Sequence, residues 1–203
     1  SEETHFLING STGGILSAVA GCVPQGGTLL MARNCHKSVY HAALLGNLKT
    51  HYIYPQPADQ MLINGPILAS DVDIQAVFLT SPTYDGVVSD VRAIAEVVHK
   101  KNLPLIVDEA HGAHFPFSSY FPEDSIKSGA DVVIHSVHKT LPSLTQTALI
   151  HLNGNLVDRQ KLRYFLSVYQ TSSPSYVLMA GIDQCMEWTA SHLAEFDAFG
   201  ERL

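Results

Sequence analysis

Short apolar runs recur along this chain, each closed by a polar or turn-forming cluster. Thr28–Ala32 and Ala76–Thr80, with residues 103–107 and 132–134, are nearly continuous in Leu, Ile, Val, Met, Phe and Ala. That is the pattern of strands buried on both faces of a parallel sheet. Residues 6–8 form a shorter apolar segment. Residues 51–54 read as a further strand closed by Pro55 and Pro57, and residues 145–152 as a last one turned by Asn153-Gly154-Asn155. Between these runs the spacing becomes helical. Ile15, Leu16, Val19, Ala20 and Val23 share one face, a second helix starts near His36 and runs through Tyr40, Ala43 and Leu44, and Asp90 caps a third with Val91, Ile94, Ala95, Val97 and Val98 inward. Residues 156–169 are helical, Thr171-Ser172-Ser173-Pro174-Ser175 breaks the pattern, and Tyr176 opens one long helix to about Phe199. Residues 59–73, with Gly65-Pro66, read as a helix-containing connection, and the aromatic stretch 115–121 as a lid or wall. Strands alternating with helices predict the α/β class: a three-layer α/β/α arrangement around a mostly parallel sheet.

Composition narrows the function classes. A chain of 203 residues, 46% hydrophobic and 15% charged, can bury a core and is neither disordered nor fibrous. A net charge of -7 argues against a nucleic-acid surface. Cys22, Cys35 and Cys185 are odd in number and widely spaced, with no Cys-x-x-Cys, so a reducing compartment fits better than a disulfide framework. Ser1-Glu2-Glu3-Thr4-His5 lacks the basic and apolar parts of a signal peptide. No apolar run approaches the roughly 20 residues that cross a bilayer. The expectation is a soluble, cytoplasmic protein with no nucleic-acid or membrane partner.

The candidate chemistry sits at strand ends, where α/β sheets hold ligands. The run 132–134 stops on Ser136-Val137-His138-Lys139-Thr140, and the run 103–107 stops on Asp108-Glu109-Ala110-His111. An isolated Lys is ordinarily a solvated surface charge. A Lys and a carboxylate at the tips of neighbouring strands instead match the needs of pyridoxal 5'-phosphate. The amine holds the aldehyde as a Schiff base and the acid pairs with the pyridinium nitrogen. Near the start, Asn9-Gly10-Ser11-Thr12-Gly13-Gly14 joins an apolar segment to a helix. It reads either as an ordinary helix cap or as a phosphate cradle of N–H groups and hydroxyls. His36, where a strand gives way to a helix, is either a capping residue or a pocket residue.

Two competing readings are weaker. Asp108-Glu109-Ala110-His111 spells the acidic motif of DEAH-box helicases, but that chemistry needs a Gly-Lys phosphate loop, and no Gly-Lys pair exists here. His111 and His114, three apart and near Asp108, suggest a metal site. Gly112 and Pro116 argue against the helix such spacing requires.

Six motifs then occur in order: 9–14, Asn34-Cys35-His36-Lys37-Ser38, Ser81-Pro82-Thr83-Tyr84-Asp85-Gly86, Asp108-Glu109-Ala110-His111, Ser136-Val137-His138-Lys139 and Thr171-Ser172-Ser173-Pro174. Together they resemble the large domain of the Orn/Lys/Arg decarboxylases, pyridoxal-phosphate enzymes of the aspartate-aminotransferase fold. The resemblance covers nearly the whole chain. It implies that Lys139 is the Schiff-base lysine and that Ser11, Thr12 and Ser136 hold the phosphate, with Gly13 admitting the backbone. It also implies that His36 stacks on the pyridine ring, Asp108 pairs with the ring nitrogen and Ala110 packs beneath it. By the same resemblance His111 is expected near the ring hydroxyl and His138 beside Lys139. The resemblance further implies that Thr171 or Ser172 reaches the phosphate of a neighbouring subunit, in a homodimer with shared active sites. Thr83 to Asp85 line the other side of the ring, with their role open.

The implied reaction is decarboxylation of a basic L-amino acid, with lysine, ornithine and arginine equally open. Lys139 or His36 returns a proton to the α carbon. The same lysine and fold would also serve an aminotransferase or an aldolase-type enzyme. Relatives of this kind are longer, so residues 1–203 are expected to be the large domain alone, and the chain a fragment that is inactive by itself is the third reading.

Overall fold

The computed structural model describes residues 1–54 and 73–202; most of the connection expected at 59–73 lies outside them. In chain order the elements are β1 (Glu3–Leu7), α1 (Gly10–Cys22), β2 (Thr28–Ala32), α2 (Lys37–Leu45), β3 (Lys49–Ile53) and β4 (Ala76–Thr80). There follow α3 (Val91–His99), β5 (Leu105–Asp108), a 3₁₀ turn (Phe115–Phe117), β6 (Val132–His135), the short α4 (Val137–Thr140) and β7 (Ala148–Leu152). The chain closes with α5 (Arg159–Tyr169), α6 (Tyr176–Ser191) and α7 (Leu193–Gly200).

The seven strands form one sheet in the order β1-β7-β6-β5-β4-β2-β3. Only β7 runs against the rest, pairing antiparallel with both β1 and β6. β2, β4, β5 and β6 are buried along their whole length, as their unbroken apolar runs require. From β2 to β3 the chain steps one way along the sheet, and from β4 to β5 it steps the other. Right-handed crossovers therefore place α2 and α3 on opposite faces. α1 packs against both α2 and α5, which gives the first outer layer; α3, with Val91, Ile94, Ala95 and Val98 inward, belongs to the second. The architecture is the three-layer one with a mostly parallel sheet.

Several boundaries differ from the sequence expectation. α1 begins at Gly10, five residues before the first periodic apolar position, so Ser11 and Thr12 lie inside its first turn. β7 starts at Ala148 and not at 145, because Gln146 takes a left-handed conformation (φ 77°) and Thr147 N–H closes a turn on the Leu144 carbonyl. The long final helix is two helices. Ser191 Oγ donates to the Glu187 and Trp188 carbonyls, and His192 leaves helical geometry with its ring stacked on Trp188 at 4.2 Å. Cys22, Cys35 and Cys185 are free thiols, and among the described residues no helix is long and apolar enough to cross a membrane.

Candidate active site

The carboxyl ends of five parallel strands carry the candidate residues: α1 follows β1, His36 follows β2, Ser81 to Asp85 follow β4, Asp108 ends β5 and Ser136 to Lys139 follow β6. The direction of travel reverses between β2 and β4, so the crevice there is a topological switch point.

Asp108 sits opposite Ile134 in the β5–β6 register and is buried. Its Oδ1 accepts the Ala110 N–H at 3.1 Å. Burial pushes its carboxyl up to about 6, against the opposing pull of that hydrogen bond and of Lys139 and His135. Lys139 is exposed, and its Nζ lies 3.0 Å from His111 Nε2. An ammonium has only protons to offer, so His111 accepts and carries its own proton on Nδ1. Partial burial, then Lys139, then His36 hold the His111 ring below its usual titration range, consistent with a neutral acceptor. The ring meets the largely exposed Tyr84 edge-on at 5.6 Å. His36 has the capping role that the sequence offered. Its Nδ1 accepts the Ser38 N–H and caps α2. The ring is also close enough to Lys139 that, after burial, the lysine charge is what most depresses its proton affinity. Lys139 thus acts on Asp108, His36 and His111 alike, and the four groups share one neighbourhood.

A second set gathers around one turn. The Gly10 N–H donates to the Gln146 carbonyl at 2.8 Å and the Val137 N–H to the Thr147 carbonyl at 3.1 Å. Residues 146–147 therefore hold the start of α1 beside the Ser136 loop. Asn9 gives α1 no side-chain cap; its amide donates to the Tyr169 carbonyl instead. The cap-only reading of 9–14 is thus not what the chain does. Ser136 is fully buried, and its Oγ has no hydrogen-bond partner among the described residues. A buried hydroxyl without a partner beside uncapped helix N–H groups fits an oxyanion. Gly13 is buried in the first turn of α1. His138 turns its Nδ1 to the Thr147 carbonyl at 2.8 Å and so braces the same turn.

Thr171 and Ser172 lie exposed between α5 and α6, where Thr171 Oγ1 accepts the Ser173 N–H. Among the described residues no hydrogen bond or ion pair joins either of them to the Lys139 group. The metal reading does not gather its ligands. His111 goes to Lys139, while the His114 ring packs between Phe115 and Phe121, and no cluster of three metal-ligating groups exists among the described residues.

One array running from buried Glu109 and His135 out to exposed Thr4 was not foreseen from the sequence. Glu109 points to the face opposite Asp108, as strand alternation demands. There it accepts from Ser125 Oγ at 2.6 Å and lies 2.7 Å from His135 Nε2. His135 Nδ1 is 3.1 Å from His151 Nε2, whose Nδ1 is 2.8 Å from Thr4 Oγ1. This ladder ties β5, β6, β7 and β1 together beneath the site. The signal available was the second acid directly after Asp108, whose side chain has to be satisfied somewhere. Gly112 makes the turn above it possible, since a Cβ there would stand 2.6 Å from Glu109 Cγ and 2.9 Å from Pro82 Cδ.

The profile of the Orn/Lys/Arg decarboxylase major domain matches residues 1–195. The chain belongs to this family. The uncharacterized protein YaaO of Bacillus subtilis is 38% identical over 192 residues, covering 90% of this chain and 40% of YaaO. The arginine decarboxylase of the same organism is 31% identical over 191 residues, covering 90% of this chain and 39% of that enzyme. The chain therefore spans about two-fifths of the length of these decarboxylase-family relatives. Among solved structures, the constitutive lysine decarboxylase of Escherichia coli superimposes with a TM-score of 0.73 at 23% identity, over 91% of this chain and 29% of that one. The methionine aminotransferase YbdL of the same organism superimposes with a TM-score of 0.74 at 15% identity, over 97% and 53%. These likenesses show that the chain shares its fold with both enzymes.

Proposed function

We propose that this chain is the cofactor-binding part of a pyridoxal-phosphate-dependent decarboxylase acting on a basic L-amino acid, lysine, ornithine or arginine. The observation that carries the reading is the Lys139 amine at 3.0 Å from the His111 ring, in electrostatic reach of the buried Asp108. Membership of the family and the arginine and lysine decarboxylases among its relatives support the substrate class.

The residues present fit the cofactor. Lys139 Nζ would carry its aldehyde carbon. Asp108, held as a carboxylate, would keep a proton on the ring nitrogen by opposing charge at short range. Ala110, too small to obstruct, would lie under the ring, with His36 on its face and His111 at the ring hydroxyl. Ser11, Thr12, the Gly13 backbone and Ser136 Oγ would hold the phosphate, with His138 fixing the loop. Thr171 or Ser172 would complete the phosphate site of a partner subunit in a homodimer. Bound pyridoxal phosphate supplies an electron sink for the charge left when carbon dioxide departs. Lys139, or His36 with its depressed proton affinity, would then return a proton at the α carbon.

Titration of the chain with pyridoxal phosphate, read by absorbance, should give a saturating yellow band that Lys139→Ala abolishes. In the whole protein a basic amino acid should yield carbon dioxide and the matching amine. A band and a turnover rate both unchanged in Lys139→Ala would reject the assignment, and a keto acid product would place the protein with the aminotransferases.

A further inference from the structure

Among the described ion pairs only Glu109–His135 is buried on both sides, with side-chain accessibilities of 2% and 5%. The hydrogen bonds around it constrain where protons sit. Glu109 Oε1 accepts both the Ser125 N–H at 3.1 Å and the Ser125 hydroxyl at 2.6 Å, an arrangement that suits a charged carboxylate. Its Oε2 is 2.7 Å from His135 Nε2, and His135 is its only ion-pair partner among the described residues. A buried carboxylate without a counter-charge is costly, so a proton on His135, which makes the pair neutral, is the favoured state. The imidazolium then has two N–H groups to place. Nε2–H goes to Glu109 and Nδ1–H to His151 Nε2, 3.1 Å away. His151 is held well below its usual titration range, by burial and then by His135, and stays neutral. With Nε2 accepting, its one proton sits on Nδ1 and is donated to Thr4 Oγ1 at 2.8 Å. A second proton would set two N–H groups against each other between His135 and His151, so the array holds one and no more.

The pair stands directly behind the carboxylate of the candidate site. Glu109 follows Asp108 at the end of β5, and His135 follows Ile134, the residue opposite Asp108 in β6. The other titratable rings toward His135 add no charge of their own. His151 is neutral, and His114, lowered first by burial and then by His135, is neutral as well. Glu109 alone would put a second negative charge beside Asp108 and oppose its ionisation; a protonated His135 cancels that charge. Burial raises the Asp108 carboxyl, and His135 is one of the groups that pull it back, together with Lys139 on the site's own face. We propose that His135 is a positioning residue of the active site, retaining a proton with Glu109 as its counter-ion and so keeping Asp108 a carboxylate from the far face of the sheet. Its importance to the cofactor rests on the reading of Asp108 given above; the protonation pattern does not.

Nuclear magnetic resonance of the cofactor-free protein, isotope-labelled at histidine and aspartate, tests this without cofactor chemistry. At pH 7 both His135 nitrogens should be protonated, and His151 should be neutral with its proton on Nδ1. The Asp108 carboxyl signal, besides its own titration, should shift again where His135 loses its proton. His135→Gln leaves Glu109 uncompensated and should raise the Asp108 midpoint by about one pH unit. Adding Glu109→Gln to that variant should return the midpoint toward the parent's, a rescue that a purely structural role of His135 would not give. A neutral His135, a His151 proton on Nε2, or an Asp108 titration that ignores His135 in the parent and in both variants would overturn the proposal. The parent spectra decide by themselves where His135→Gln fails to fold. A cofactor that does not bind Lys139 would instead overturn the reading of Lys139 and leave these spectra as they are.

Discussion

Burial pushes the Asp108 carboxyl to about 6, and this has a consequence at the scale of one residue. The unfolded chain binds the proton near its ordinary value of 3.8, so between roughly pH 4 and pH 6 the folded state holds more protons than the unfolded one. Stability from this group is full below pH 4, falls as the pH rises through 6, and is level above. Asp108→Asn keeps an oxygen for the Ala110 N–H and removes the buried charge. Without cofactor it should be more stable than the parent at pH 7 by about 2–3 kcal/mol and lose the slope between pH 4 and 6. Urea denaturation at several pH values measures both. Pyridoxal phosphate binding should at the same time become weaker and turnover of the whole protein fall by orders of magnitude, because the partner of the ring nitrogen is gone. A variant no more stable at pH 7 would mean that water reaches this carboxylate in the folded chain.

At the scale of elements, the strand-end loops depend on what lies beneath them. Glu109 has a side-chain accessibility of 2% and meets Ser125 and a His135 that is equally enclosed, so removing it leaves buried polar groups without a partner. Glu109→Ala should cost about 3–5 kcal/mol, the range for breaking a buried pair from one side. Glu109→Gln, which keeps an acceptor for one neighbour, should cost less. Thermal denaturation ranks the two, and equal losses would show that shape and not hydrogen bonding is what Glu109 contributes. The same ladder explains why the β5 loop faces Lys139 consistently: Asp108 and Glu109 are locked to opposite faces by strand alternation, and fixing one fixes the other. The split of the last helix at His192 belongs to this scale too. It creates the corner into which Phe121 and Phe199 pack, at 6.4 Å between rings.

For the whole molecule, the turn bearing Thr171 and Ser172 is flanked by apolar side chains open to solvent. Tyr176 is 79% exposed, Val177 70% and Tyr164 63%. Patches of this kind mark association surfaces more often than isolated exposed residues do. A homodimer closing over this region would bring Thr171 to the partner's phosphate site. Light scattering of the holoprotein should give twice the chain mass, and cofactor affinity should rise with protein concentration. Thr171→Ala should weaken the cofactor without changing the melting of the cofactor-free chain. A monomer that binds pyridoxal phosphate with the same affinity at every concentration would exclude the shared site.

Much of this was legible in the sequence. Runs such as Ala76–Thr80 and 132–134 carry their burial in their composition, and a strand that must be covered on both faces leaves few architectures open. The strand-end positions of Asp108, His36 and Lys139 followed from those runs, because a polar residue directly after one is at the rim of the sheet. What the sequence left undecided were the features that depend on partners distant in the chain. Whether Asn9 capped α1 turned on Tyr169, and the start of β7 turned on a left-handed Gln146 whose carbonyl holds Gly10. Periodicity describes a face, not its occupant. Packing between elements far apart in sequence decided which hydrogen bonds formed, and with them where Lys139 points and which histidine meets it.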